Sequence, residues 1–318
     1  MMGRPMTKPH FGVMVPQIKR TWEQSEAASV EFEQLGFDSL WVNDHLYGPQ
    51  SPQIPILEAW TLIAALAAKT DRVEIGTLVT PAGMRNPQHL GKTIATVDHI
   101  SGGRIIAGLG SGWMEREHTD FGMAFGTPAQ RTKQLRETIA LFKSTWVAAE
   151  PATMHGNFVN ATNLVTEPKP TRVPPILIGG TGPKVTLPLA AQEANIWNNP
   201  AGGQGRLAEH IESLHTAMDR VGRDHDEVTI SQQCLVAIAP NDDEAGPMIK
   251  LAQRIFGGHM GDPTGPLAIT GTPERVVEQI GKHIDLGCTM FMIEFFGTDT
   301  RIPARLFAES VLPHFDRS

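Results

Sequence analysis

The chain has 318 residues, with 27 Lys+Arg against 34 Asp+Glu, a formal net charge of −7 and 41% hydrophobic residues. Phosphate-backbone affinity rests on clustered Lys and Arg, and the densest basic stretch, Arg131 to Arg136, alternates with neutral residues on a helix pattern. The balance therefore excludes a general nucleic-acid binder, and the composition is that of a globular enzyme rather than a disordered chain.

The N-terminal Met1-Met2-Gly3-Arg4-Pro5 leads into a short strand pattern at Phe11 and not into the apolar core of a signal peptide. The longest apolar or small-residue run, Ala59 to Ala68, falls short of the ~18 residues that span a bilayer. No membrane segment is expected, and the location expected is cytoplasmic. Cys234 and Cys288 each lie in an apolar strand-like segment and read as buried free thiols. Neither has a Cys or His at zinc spacing, so no metal is expected.

In chain order, strand patterns fall at Phe11–Gln17, Ser39–Asp44, Val73–Thr80, Ile105–Gly110, Pro175–Gly180, Asn195–Asn199, Thr229–Ala239 and Thr289–Phe296. Between them run helices with a 3.6-residue apolar stripe: Ala28, Phe32, Leu35; Leu90, Ile94, Val97; Leu135, Ile139, Phe142, Trp146; Leu207, Ile211, Leu214, Met218; and Val277, Ile280, Ile284. Gly36, Gly222 and Gly287 stand where a left-handed C-cap would end a helix. Pro188 falls inside the helix after the fifth strand and is expected to kink it.

Strict βα alternation with near-continuous apolar strands means parallel pairing, buried on both faces. Eight units predict a (β/α)8 TIM barrel, an α/β fold formed as a single domain over residues 1–318. Long intervals after the fourth and seventh strands predict two insertions. The first holds the loop Gly112–Thr127, a long helix and a hairpin around His155–Phe158, and the second a helix and a Gly/Pro-rich surface flap at Gly257–Pro263.

Barrel active sites lie at the C-terminal ends of the strands. Two of those ends are glycine-rich, Gly108–Trp113 and Ile178–Lys184, and each could leave backbone N–H groups facing an anion or simply make a tight turn. Asp44-His45 is the one adjacent acid and imidazole among the strand ends. A carboxylate can fix the tautomer of such a histidine, giving a proton donor or acceptor near neutrality; a helix-capping Asp followed by a packed His is the alternative. The other histidines, including His99, His118, His210 and His283, read as surface or packing residues.

The runs FGVMVPQ, LGFDSLWVNDH, DRVEIGTLVTPAGMRNP, ISGGRIIAGLGSGW, PPILIGGTG and TPERVVEQI, with a closing helix at 304–315, occur in this order. As a set they resemble the bacterial luciferase-like monooxygenase superfamily, most of all its deazaflavin-dependent oxidoreductases. The resemblance implies a barrel that binds coenzyme F420, or alternatively FMN, at its mouth. It implies a non-proline cis peptide at Leu78–Val79, with Thr80 beside it, backing the flavin ring. It implies phosphate contacts at Gly110, Ser111, Gly112 and Trp113 and at Gly179, Gly180 and Thr181, so that both glycine-rich turns serve one ligand.

It further implies Asp44 and His45 as a polar pair beside the deazaflavin hydroxyl edge or the hydride-carrying carbon, and His45 is taken as the proton donor or acceptor with Asp44 as its orienting partner or a ring contact. Gln17, Trp113, Phe295 and Phe296 are expected as walls of a pocket for a small-molecule substrate. The apolar character of Leu46, Trp113, Phe295 and Phe296 suggests a hydrophobic or aromatic one. Sugar-6-phosphate dehydrogenases of the superfamily carry a Glu where this chain has Trp113, which argues against that activity. The tail of F420 is anionic, and Arg85, Arg131, Lys133 and Lys184 are its candidate cationic partners. Homodimers are common in the family, an FMN-dependent member would draw on a partner flavin reductase, and some members bind flavin without turnover.

Overall fold

A computed structural model describes residues 8–48 and 51–315; the Met1–Pro5 stretch lies outside them. The barrel strands are β1 (His10–Met14), β2 (Ser39–Val42), β3 (Glu74–Thr77), β4 (Ile105–Gly110), β5 (Ile176–Gly179), β6 (Ile196–Asn199), β7 (Thr229–Ile238) and β8 (Met290–Phe295). The helices are α1 (Trp22–Gln34), α2 (Ala59–Ala67), α3 (Pro87–Ser101), α4 (Glu115–Asp120), α5 (Pro128–Thr145), α6 (Thr186–Glu193), α7 (Leu207–Val221), α8 (Asp242–Phe256), α9 (Pro273–Asp285) and α10 (Arg301–Ser310). Each strand hydrogen-bonds to the next and β8 pairs with β1, the strand order of a closed eight-stranded parallel (β/α)8 barrel. Among the described residues no helix is long and apolar enough to cross a membrane.

The chain packs as two compact units, one of residues 1–16, 24–41 and 180–318 and the other of 17–23 and 42–179. In the first, β1 runs parallel to β8 with Phe11 opposite Phe291, and β7 lies between β8 and β6. Phe11 stacks on Phe291 at 5.5 Å, and Phe295 meets Phe37 and Phe307 edge-on at 5.8 and 5.5 Å. Side chains alternate along a strand, so Phe291, Ile293 and Phe295 face the helical layer. Full burial of each such ring stabilises by roughly 1.5–3 kcal/mol.

In the second unit, β3, β4 and β5 run parallel, with Ile75 opposite Ile105 and Leu109 opposite Ile178. A Cβ on Gly108 would fall 1.7 Å from the carbonyl oxygen of Thr77, so that position of β4 admits only glycine. Helix α3 starts at Asn86, whose side chain accepts from the His89 N–H at 2.9 Å, with Pro87 in its first turn. Helix α5 starts with a reciprocal Thr127–Gln130 capping box. The two helices meet closely because Gly91 leaves room for Phe142, and Trp146 Nε1 donates to the Gly91 carbonyl at 3.1 Å.

Both insertions are present. The one after β4 holds α4, α5 and an antiparallel hairpin, Ala152–His155 with Asn160–Leu164. Glu137 of α5 accepts from the hairpin N–H groups of Asn157, Phe158 and Val159. The one after β7 holds α8 and a short strand, Ile269–Gly271, that pairs with β7. The Gly257–Pro263 stretch is not a loose flap: Met260 is buried against Ala201, Leu235, Ala237 and Ala252.

Three other expectations need correction. Helix α6 begins at Thr186, so Pro188 sits in its first turn, where the N–H has no intrahelical partner to lose and no kink is imposed. On α9 the buried face is Val276, Ile280 and His283, one position away from part of the expected stripe. The closing helix ends at Ser310, and a single 3-10 turn, Leu312–His314, comes after it. Cys234 and Cys288 are buried free thiols, as expected.

Candidate active site

The chain leaves β2 at Val42, and Gln17 secures the segment just beyond that strand end. Its side-chain Nε2 donates to the carbonyls of Asn43 (2.9 Å) and Leu57, and its Oε1 accepts from the Asn43 N–H at 3.0 Å. Buried and engaged by backbone at both ends of its amide, Gln17 is a clamp on the strand end rather than the pocket wall expected of it.

Asp44 does not orient His45. Its Oδ2 accepts from Arg85 Nη1 and from the Thr80 hydroxyl, both at 2.6 Å, and its Oδ1 accepts from Arg85 Nη2 at 2.9 Å. Arg85 also reaches Glu58, which caps α2 by accepting from the Thr61 N–H at 2.8 Å. Thr80 in turn accepts from Trp60 Nε1 at 3.0 Å. Burial raises the Asp44 carboxyl above its ordinary value, and the guanidinium and the Thr80 hydroxyl act against it. Neighbouring side chains at a strand end turn to opposite sides, and the side Asp44 takes is the buried one. Asp44 and Thr80 are thus an internal anchor, and Thr80 is closed to a coenzyme.

The partner of His45 is Glu117, which the sequence reading missed. Glu117 Oε2 lies 2.9 Å from His45 Nδ1, and its Oε1 accepts from the Leu46 N–H. Burial pushes the Glu117 carboxyl up, but hydrogen bonds from His45 and from the backbone of Leu46 and Tyr47 outweigh it and hold the group below the usual range. An ionised carboxylate accepts only, so Nδ1 donates to Glu117 and Nε2 is the ring nitrogen that Glu117 does not engage. Glu117 reaches His45 because Ser111–Met114 turns the chain from β4 directly into the short helix α4. The signal in the sequence was the carboxylate-rich run Glu115-Arg116-Glu117 just after the glycine-rich turn.

Trp113 stands edge-on to His45, ring centres 5.8 Å apart at 77°, and is 61% exposed. The peptide Leu78–Val79 is cis, at the position the resemblance implied. Val79 is the residue that the glycines surround: a Cβ on Gly110 would meet its Cγ2 at 2.6 Å, and one on Gly179 its Cγ1 at 3.2 Å. Gly112 has φ +78°, in the left-handed region. Among the described residues none accepts from the backbone N–H of Ser111, Gly112 or Trp113. Three open amides at a strand end form a cradle for an anion, so these residues fit a phosphate-bearing coenzyme.

Arg131 is not a free cation beside that turn. It donates to the carbonyls of Gly112 (3.2 Å) and Gly126 (2.6 Å) and lies 4.0 Å over the Phe125 ring. Arg85 is held by Asp44 and Glu58, whereas Lys133 and Lys184 are exposed.

The remaining expected site residues belong to the other unit. Gly180 has φ +123°, but its N–H donates to the Asn198 carbonyl at 3.1 Å and its carbonyl accepts from Trp197 Nε1 at 2.8 Å, so its amide is not open to a phosphate. Thr181 is half-buried. Phe295 lies in the Phe37–Phe307 cluster and is core rather than pocket wall. Phe296 packs against Phe256. Glu294, between Ile293 and Phe295, faces away from the helical layer, and burial raises its carboxyl to about 6. His210 and His283 are buried packing residues, bonded to Asn199 and Gln204.

The family profile described as luciferase-like monooxygenase matches residues 6–260. The chain belongs to the luciferase-like monooxygenase family. Within the curated members, an F420-dependent glucose-6-phosphate dehydrogenase of Microbacterium testaceum is 27% identical over 310 residues, covering 88% of this chain and 90% of that protein. Among solved structures, an F420-dependent secondary alcohol dehydrogenase in complex with an F420-acetone adduct superimposes with a TM-score of 0.81 at 19% identity, covering 96% of this chain and 98% of the other. The coenzyme F420-dependent tetrahydromethanopterin reductase of Methanopyrus kandleri gives a TM-score of 0.79 at 19% identity, covering 98% of this chain and 100% of the other.

Proposed function

We propose that this chain is an oxidoreductase that moves a hydride between coenzyme F420 and a small organic substrate. The observation that carries the reading is the His45–Glu117 pair, a proton-transfer group with a fixed tautomer. It lies beside a turn of open amides, in a chain whose curated relatives are named F420-dependent. Bound there, the deazaflavin would supply the carbon that accepts or gives the hydride. Ser111, Gly112 and Trp113 would hold its phosphate through their amides, and Val79 with Leu78 would back its ring. Gly110 and Gly179 act by leaving room for Val79. His45 takes or returns a proton at Nε2, Glu117 stabilises the imidazolium that this creates, and the Asp44–Arg85–Glu58 chain keeps the strand end still.

Equilibrium binding of F420 and of FMN to the purified protein, read by fluorescence at low and high salt, tests this. The anionic tail of F420 should add affinity that salt screens over ~10 Å at 0.1 M. The expected result is tighter binding of F420 at low salt, with the gap to FMN narrowing as salt rises. Tighter binding of FMN, with turnover that needs oxygen and a flavin reductase, would replace this reading with an FMN monooxygenase.

A further inference from the structure

Trp113 and Phe121 are the two aromatic side chains left open to solvent among the described residues, 61% and 55% exposed. Both lie on the segment after β4, and both rest on the segment that carries His45: Trp113 on His45 itself, and Phe121 on Tyr47 with ring centres 6.3 Å apart. His45 and Tyr47 are two residues apart, so the two exposed rings border the same short segment, and exposed apolar side chains around one segment can mark a binding surface.

The side-chain charges around Trp113 and Phe121 do not suit a second anion beside the coenzyme phosphate proposed at the Ser111–Trp113 amides. Arg85 closes a bidentate pair with Asp44, which is 1% exposed. Drawing it away would leave a buried carboxylate uncompensated. Arg116 pairs with Asp120 at 3.2 Å, and Arg131 is held by two carbonyls and the Phe125 ring. Helix α4 itself, Glu115-Arg116-Glu117-His118-Thr119-Asp120, carries three carboxylates against one arginine. A substrate phosphate beside His45 would be a second dianion next to the coenzyme phosphate, and would meet these carboxylates with no arginine of this group released to receive it.

We infer that the substrate is uncharged, with an aromatic or alicyclic body that lies against Trp113 and Phe121, and that it presents one hydroxyl or carbonyl group to His45. This rests on the hydride-transfer reading above and departs from the sugar phosphate named for the curated relatives. In the oxidative direction the carbinol C–H bond breaks and its electron pair leaves with the hydrogen to the oxidised deazaflavin. The hydroxyl proton passes to Nε2 of His45 and the C=O bond forms. The same two transfers reversed reduce the carbonyl.

The chain has six tryptophans; Trp41, Trp60, Trp146 and Trp197 are buried and Trp22 is half-buried, so Trp113 offers a coenzyme-free readout. Fluorescence of the protein would be titrated with 1-phenylethanol, cyclohexanol and glucose 6-phosphate, alongside Trp113→Phe as control and Phe121→Ala. Saturable quenching by the two neutral alcohols that vanishes in Trp113→Phe, weakens at least threefold in Phe121→Ala and is absent with glucose 6-phosphate is the expected result. Saturable binding of glucose 6-phosphate, or no saturable response to either alcohol, would overturn the inference. A parallel F420 titration on the same samples reports on the coenzyme reading alone, so its failure is seen separately.

Discussion

Glu117 Oε2 lies 2.9 Å from Nδ1 of His45, joining two residues 72 positions apart. The carboxylate is almost fully buried while the imidazole keeps an accessible edge, with side-chain exposures of 1% and 19%. This arrangement engages one nitrogen with Glu117 and, on the reading proposed above, gives the other to a substrate. Removing the imidazole in His45→Ala should lower turnover by ~10²-fold or more. Glu117→Gln, which preserves shape but can bond the ring in the wrong tautomer, should lower it by ~10- to 100-fold. F420 affinity should stay within a few fold in both, and the double variant should be little worse than His45→Ala alone, because Glu117 acts through His45. Additive losses in steady-state kinetics would assign Glu117 a separate role.

Glu117 also carries a pH signature. Its carboxyl is held below the ordinary range in the folded state, so its contribution to stability is complete above the unfolded value of about 4.3. That contribution is lost as pH falls through the lower folded value. Urea unfolding of wild type and Glu117→Gln across pH 6 to 3 should show the difference between them shrinking toward acid.

Glu294 has the opposite sign. Burial raises its carboxyl from 4.5 to about 6, so the folded state keeps a proton that the unfolded chain releases. Stability therefore falls as pH rises from 4.5 to about 6. The shift of 6 − 4.5 = 1.5 corresponds to something on the order of 2 kcal/mol. Glu294→Gln should match wild type near pH 4 and be the more stable protein at pH 7, by up to that amount, in chemical denaturation.

Asp44 should behave as an anchor. Asp44→Ala strands Arg85 between lost and remaining partners, and breaking a buried pair of this kind costs about 3–5 kcal/mol. The prediction is a large drop in the unfolding midpoint. A variant that kept wild-type stability and lost only turnover would instead make Asp44 catalytic.

Gly110→Ala places a methyl 2.6 Å from Val79 Cγ2, closer than two carbons can sit. It should weaken F420 binding at least tenfold by displacing Val79, whereas Gly205→Ala, with nothing within 4 Å of the added Cβ, should leave binding unchanged. Equal affinities in a fluorescence titration would remove Val79 from the coenzyme site.

The eight strands and the helices α1, α3, α5, α7 and α9 were legible in the sequence because their signals are local: continuous apolar runs for strands buried on both faces, a 3.6-residue stripe for helices, glycine at the caps. Helix α4, inside the stretch 112–127 expected to be a loop, was not. Nor were element ends, as Pro188 shows: with α6 starting at Thr186 an expected helix breaker becomes an ordinary first-turn residue. At the site, position at a strand end was enough to nominate His45 and the glycine-rich turn Gly108–Trp113 as candidates. The sequence chose the wrong carboxylate, however. Asp44 is adjacent to His45 in the chain, but Arg85, Thr80 and burial claim it from one side of the strand end. Glu117 is remote in the chain and arrives from the other side on α4. Likewise Phe295 and Glu294 are neighbours whose roles depend on which of them faces Phe37 and Phe307. Covalent neighbours on a strand point apart while residues on consecutive strand ends point together, so the partners of a side chain are decided by packing across elements, which only the tertiary structure determines.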